Sequence, residues 1–97
     1  MPRKLPPIHP GQVLKEDFMA PLDLSATKLG HILGVPPNRI TEIVRGRRGI
    51  SGDTALRLAR YFGVSARFWL NLQNRYDLDI AEDAAGGEIK HIPRYAA

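Results

Sequence analysis

Apolar residues recur at helical spacing in five stretches of this chain. In the first, Val13, Leu14 and Phe18 share one face. This helix is predicted to begin near His9-Pro10, since proline suits a first helical turn, and to end before Pro21. Leu29, Ile32 and Leu33 form the stripe of a second helix, with Ser25 placed to accept from its unpaired amides. Ile40, Ile43 and Val44 form a third stripe. Ala55, Leu58, Ala59 and Phe62 form a fourth, capped by Ser51 with Asp53 in the favourable first turn. Ser65 opens a fifth helix, in which Phe68, Leu72 and Tyr76 fall at i, i+4 and i+8 with Trp69 beside them. Gly34 and Gly63 are predicted to end the second and fourth helices. The fold class read from this pattern is all-α, with five helices.

The second and third helices meet at a tight junction. Leu24 to Gly46 reads LSATKLGHILGVPPNRITEIVRG. A helix, a glycine turn and a second short helix are the parts of a helix-turn-helix. Gly30 costs about 1 kcal/mol of helix propensity, so close packing against the next helix is its expected use. Pro37 fits a first-turn position and forces Pro36 to be extended. Neither has a capping side chain, which leaves the third helix open to water or to a phosphate. With the apolar stripe packed inward, Asn38, Arg39, Thr41, Glu42 and Arg45 face outward, where a base edge or a phosphate would stand. The loop Arg45-Gly46-Arg47-Arg48-Gly49 places three arginines and two glycines directly after that helix. It reads as a phosphate contact in preference to a solvated turn.

The ends are less regular. Residues 1–7 are expected to be a flexible arm, since Pro2, Pro6 and Pro7 oppose helix. It is either a disordered terminus or an arm that touches DNA backbone or a partner. From Ala81 the periodicity dissolves, and 81–97 is expected to be an extended or flexible tail with a hinge at Gly86-Gly87. Pro93 makes it at best an edge strand. It is alternatively a segment that orders on a second chain. The globular domain is thus placed at residues 8–80. The aromatic row has two readings: core, or a homodimer surface made by Phe68, Trp69, Leu72 and Tyr76.

Charge sharpens this picture. The 97 residues suit one domain with one modest core, and the net charge is +4, from 14 Lys and Arg against 10 Asp and Glu. Its distribution says more than its sum. Between Arg39 and Arg60 lie six arginines (39, 45, 47, 48, 57, 60) against only Glu42 and Asp53. Acidic residues gather later, at Asp77, Asp79, Glu82 and Asp83. The positive part therefore surrounds the third helix, which points to an anionic partner. Cysteine is absent, which excludes disulfides and thiolate metal sites. No apolar run approaches the roughly 18 residues of a membrane span, and MPRKLPPIHPG has prolines where a signal peptide needs an apolar stretch. A soluble, cytoplasmic chain with no membrane partner is expected. His9, His31 and His91 are dispersed, with no carboxylates at ligand spacing, so no metal is expected. No phosphate-cradling Gly-rich loop, nucleophile elbow or paired catalytic carboxylates occur, so neither catalysis nor a cofactor is expected.

Leu29-Gly30-x-x-Leu33-Gly34-Val35, followed by Ile40 and Ile43, resembles the helix-turn-helix of the lambda-repressor-like (Xre) class. PGQVLKEDFMAPLDLS and GRRGISGDTALRLARYFGVSARFWLNLQNRYDLD resemble, more narrowly, the HigA antitoxins, also called virulence-associated protein I. The likeness covers roughly residues 8–80. It implies a five-helix domain that dimerises on a palindromic DNA operator. It also implies a small ribonuclease toxin as partner, which the antitoxin neutralises while the complex represses its own operon. By the same resemblance Thr27 and Lys28 approach phosphates. Asn38, Arg39, Thr41 and Glu42 read bases, and Arg45, Arg47 and Arg48 grip backbone. The chain departs from the class at Ala26, where Gln is frequent, and at Pro36-Pro37, where Ser or Thr usually opens the third helix. The alternative function is a stand-alone Xre-class regulator without a toxin.

Overall fold

The structure, a computed structural model, describes residues 5–96. Its first helix, α1 (Pro10–Val13), starts at an unforeseen cap. His9 Nδ1 accepts the Gly11 N–H at 2.8 Å, and Pro10 fills the first helical position. The chain then widens into a π-helical stretch, Leu14–Met19, and tightens into a 3-10 turn, Ala20–Leu22. Here amides reach five residues back: Ala20 N–H to Lys15 O, and Leu24 N–H to Met19 O at 2.9 Å. The extra residue in the turn lets Leu14 and Met19 both point into the core. Helical structure thus continues through Pro21, where the sequence predicted a stop. Pro21 lies in the first turn of the 3-10 segment, where its missing N–H costs no bond. Asp23, with φ 53°, then turns the chain.

Four helices follow: α2 (Ala26–Leu33), α3 (Pro37–Val44), α4 (Gly52–Phe62) and α5 (Ala66–Ile89). The serine caps are as the sequence predicts. Ser25, Ser51 and Ser65 accept from the amides of Lys28, Thr54 and Phe68. Gly34 ends α2 with φ 72°, and Gly63 ends α4. Pro36 precedes α3 without any side-chain cap.

Leu14, Leu29, Ile40, Ile43, Ala55, Leu58 and Trp69 are fully buried in one core. Two glycines set how tightly its helices meet. A Cβ on Gly30 would stand 3.0 Å from Pro37 Cα and 3.1 Å from Val35 O, so α2 and α3 do touch there. A Cβ on Gly11 would stand 1.8 Å from the Ile43 carbonyl oxygen, so α1 lies directly on the end of α3. Ile32 departs from its expected place. It is 40% exposed, at the edge of the α2 stripe, and lines a surface groove with Leu56 and Tyr61 of α4.

Two further expectations are corrected. Trp69 is no dimer-surface residue, because its own chain buries it completely. Phe18 brings its ring to 4.8 Å from Trp69 out of the π-helical turn, and Phe62 and Phe68 complete the cluster. Phe68 and Leu72 are half-buried against this core, and Tyr76 packs edge-on to His9 at 4.8 Å. The second correction concerns residues 81–97. α5 runs unbroken to Ile89, through Gly86 and Gly87, and a turn at Lys90 and His91 ends it. Extending an existing helix fixes one residue per added bond, so Ala81, Glu82, Ala84 and Ala85 propagate it, and the glycine pair weakens it by about 1 kcal/mol each without breaking it. Residues 93–96 have no regular structure, and the described residues include no strand. Of the N-terminal arm, residues 1–4 lie outside the described residues. Leu5, Pro6 and Pro7 line a groove with Val13, Leu72 and Arg75.

The His9 cap makes stability sensitive to pH. Burial lowers the His9 pKa from its ordinary 6.5, partly opposed by the charge of Asp77. A lowered folded pKa favours the neutral ring, which is also the form that can accept from Gly11. This contribution is complete above 6.5 and is lost as pH falls from there toward the folded value. The urea midpoint is therefore expected to drop between about pH 7.5 and pH 5.5, and to drop less in His9→Gln. An equal drop in both proteins would assign the effect to other groups.

Candidate nucleic-acid interface

α3 buries Ile40 and Ile43 completely and turns its polar side out. Asn38 is exposed at its start, and Arg39, Thr41 and Glu42 are partly exposed. Each of these last three already has a partner. The Thr41 hydroxyl donates to the Pro37 carbonyl at 3.3 Å, which leaves its lone pairs for an incoming donor. Glu42 stands 3.5 Å from the Arg48 guanidinium. Arg39 Nη1 donates to Asp53 Oδ2 at 3.1 Å.

The loop after α3 folds back on the helix. Gly46, with φ 73°, lets its N–H reach Ile43 O, and Arg47 N–H reaches Glu42 O at 2.8 Å. Arg45, Arg47 and Arg48 all remain exposed. Behind this loop, the Ile50 N–H donates to Gln73 Oε1 of α5 at 2.7 Å, and Gln73 Nε2 donates to Asp77. Thr27 and Lys28 are exposed in the first turn of α2. The structure thus carries the polar positions of α3, the arginine loop and the start of α2 on solvent-accessible surface.

Asp53, Arg57 and Gln73 were not foreseen as parts of this site. Asp53 Oδ2 is shared, since Arg57 Nε also donates to it at 3.0 Å. Arg57 Nη1 in turn donates to Leu33 O at 2.8 Å, which occupies a terminal carbonyl of α2. The Arg57 hydrogen bond is the leading cause that holds the Asp53 carboxyl below its ordinary pKa, with the charges of Arg57 and Arg39 adding to it. Asp53 and Arg57 are four apart on one helix, a spacing that pairs opposite charges. Arg39 is fourteen residues from Asp53, and nothing local signals that contact.

Among the described residues no three or more His, Asp or Glu side chains group as metal ligands, and no helix is long and apolar enough to cross a membrane. The surface offers instead guanidinium, amide and hydroxyl donors beside a short helix.

A helix-turn-helix family model matches residues 15–69. Virulence-associated protein I of Dichelobacter nodosus is 56% identical over 79 residues, which span 81% of this chain and 73% of that protein. The solved Pseudomonas aeruginosa antitoxin HigA with the higBA promoter superposes with a TM-score of 0.89 at 44% identity, over 94% of this chain and 99% of that one. This chain belongs to the HigA-type helix-turn-helix family. Antitoxin GraA in complex with its operator aligns with the whole of this HigA-type chain and 99% of its own, at 40% identity and a TM-score of 0.89. The match extends past the helix-turn-helix to both ends, so it includes the long α5.

Proposed function

We propose that this chain is a DNA-binding antitoxin that represses its own operon as a dimer and neutralises a small ribonuclease toxin. It acts by binding and not by catalysis, and in the cytoplasm. The supporting observation is the near-complete likeness to two antitoxins solved with promoter or operator DNA, joined to Arg39 on α3 and the exposed arginine loop after it. Two copies of α3 enter successive major grooves of a palindromic operator, about 34 Å apart. Asn38 and Arg39 read base edges, and Thr41 and Glu42 border them. Thr27, Lys28, Arg45, Arg47 and Arg48 hold phosphates. Asp53 accepts from Arg39 Nη1, which leaves the bidentate pair Nη2 and Nε for a guanine. Phe68, Leu72 and Tyr76, which retain some exposure, border the dimer contact.

A gel shift on the DNA upstream of the gene tests this reading, and no binding at low salt would sink it. Arg39→Ala is expected to weaken the specific complex by about 1–3 kcal/mol and to relax preference at one base pair. Equal weakening on unrelated DNA would make Arg39 a backbone contact instead. Arg47→Ala is expected to weaken all sequences alike and to flatten the salt dependence by one phosphate contact. The toxin part is tested separately. Co-expression with the product of an adjacent short basic reading frame should relieve growth arrest and yield a stable complex.

A further inference from the structure

Asp53 is an odd residue to find beside a DNA-binding helix. It is a negative charge in the first turn of α4, set between Arg39 and Arg57. A carboxylate near a polyanion repels it, so its presence there lowers affinity for every sequence equally. What it provides in exchange is order. One oxygen, Oδ2, receives Arg39 Nη1 and Arg57 Nε, while Arg57 Nη1 is spent on Leu33 O. The chain of contacts therefore runs from the end of α2, through α4, to a side chain of α3. Arg57 is fixed at both ends and acts as a brace, and Asp53 is the joint between brace and reader.

We infer that Asp53 is a positioning residue that sets sequence selectivity by holding the Arg39 guanidinium in its base-reading orientation before DNA arrives. This rests on the DNA-binding reading above. An arginine has four rotatable side-chain bonds, and a free one must be ordered at the moment of contact. Pairing with Asp53 orders it beforehand in the free protein. The pair also occupies Nη1, so that the guanidinium presents Nη2 and Nε to a base. Selectivity is raised and general affinity is lowered, both by the same carboxylate.

The two effects have opposite signs, and this separates the inference from a merely structural role. The probes are a duplex selected from a randomised pool by the wild-type chain, and an unselected duplex of equal length. Asp53→Asn is expected to bind the unselected duplex as well as wild type or up to about threefold more tightly, since a negative charge is gone. The ratio of selected to unselected affinity is expected to fall roughly tenfold, the size of one lost base contact. In the Arg39→Ala background, Asp53→Asn is expected to change that ratio no further. A wild-type ratio in Asp53→Asn, or a further loss on top of Arg39→Ala, overturns the inference. So does a parallel fall on both duplexes in a variant whose helical circular dichroism and melting are unchanged. Free of DNA, side-chain NMR should show the Arg39 Nε–H ordered in wild type and mobile in Asp53→Asn. An Arg39 equally mobile in both also overturns it. A wild-type chain that selects no sequence while its Arg39 is ordered strikes the DNA-binding reading itself, and the selectivity role falls with it.

Discussion

Gly11→Ala is expected to cost this domain about 3 kcal/mol, the largest effect of any single added methyl group. The new Cβ would stand 1.8 Å from the Ile43 oxygen and 2.6 Å from its carbonyl carbon. Both are backbone atoms of α3, so no side chain can swing aside. His9 Nδ1, the cap acceptor, is 3.0 Å away on another side. α1 must therefore lift off α3, which uncovers Leu14 and strains the His9 cap. The gain in helix propensity from alanine, about 1 kcal/mol, does not offset this. In a domain of this size the melting temperature should fall by more than about 10 °C. Gly87→Ala is the matching control, because among the described residues nothing beyond its own helix backbone and chain neighbours lies within 4 Å of its added Cβ. It should raise stability by roughly 0.5–1 kcal/mol. Thermal melts of the two variants would decide the matter, and a Gly11→Ala protein that melts with wild type would refute the packing described. Since Ile43 belongs to α3, the same substitution should also displace the helix proposed to enter the major groove.

Trp69 should show a different pattern. Trp69→Ala is expected to cost about 3–5 kcal/mol, as for other large core aromatics. Trp69→Phe should cost below about 1.5 kcal/mol. The reason lies in the indole nitrogen. Trp69 Nε1 is buried and has no hydrogen-bond partner among the described residues. Burying an unpaired donor costs about 1–3 kcal/mol, so removing it compensates much of the lost volume. Phenylalanine keeps the ring contacts with Phe18, Phe62 and Phe68. Urea denaturation with both variants measures the contrast. A Trp69→Ala chain that stays folded and merely becomes monomeric would restore Trp69 to the dimer surface, against its complete burial here.

These two residues mark the boundary of what a sequence shows. Gly11 carries no local signal of its role, and Trp69 carries one that reads two ways. Gly11 stood within a proline-glycine start to a helix, and no local signal announced the carbonyl of a helix thirty residues on. Trp69 lay on an aromatic row whose two readings, core and interface, have the same spacing. The choice was made by Phe18, which a π-helical turn rotates onto the indole. Ile32 shows the reverse case. It sits at correct stripe spacing and is nevertheless exposed, because it lines an open groove between α2 and α4 with Leu56 and Tyr61.

The interface was legible in the same uneven way. The exposed polar side of α3 and the arginine loop followed from the apolar stripe, since burying Ile40 and Ile43 leaves the other residues no other face. The partners of those residues did not follow. Arg39 with Asp53, Arg57 with Leu33, and Ile50 with Gln73 join positions 14, 24 and 23 residues apart.

Sequence alone thus determined the helix starts at Ser25, Ser51 and Ser65, the stops at Gly34 and Gly63, the close junction at Gly30 and the inner and outer sides of α3. Each depends on residues within about one helical turn, where spacing and side-chain chemistry are sufficient. Tertiary structure alone decided the π-helical turn, the seat of Gly11, the burial of Trp69, the continuation of α5 through Gly86 and Gly87, and the Arg39–Asp53–Arg57 brace. The seat of Gly11, the burial of Trp69 and the Arg39–Asp53 contact join segments that are distant in the chain, and a residue's type does not name its distant neighbour. The α5 extension turned on cooperativity: a helix already anchored by buried Trp69 and the partly buried residues around it carries a weak stretch that would not form alone.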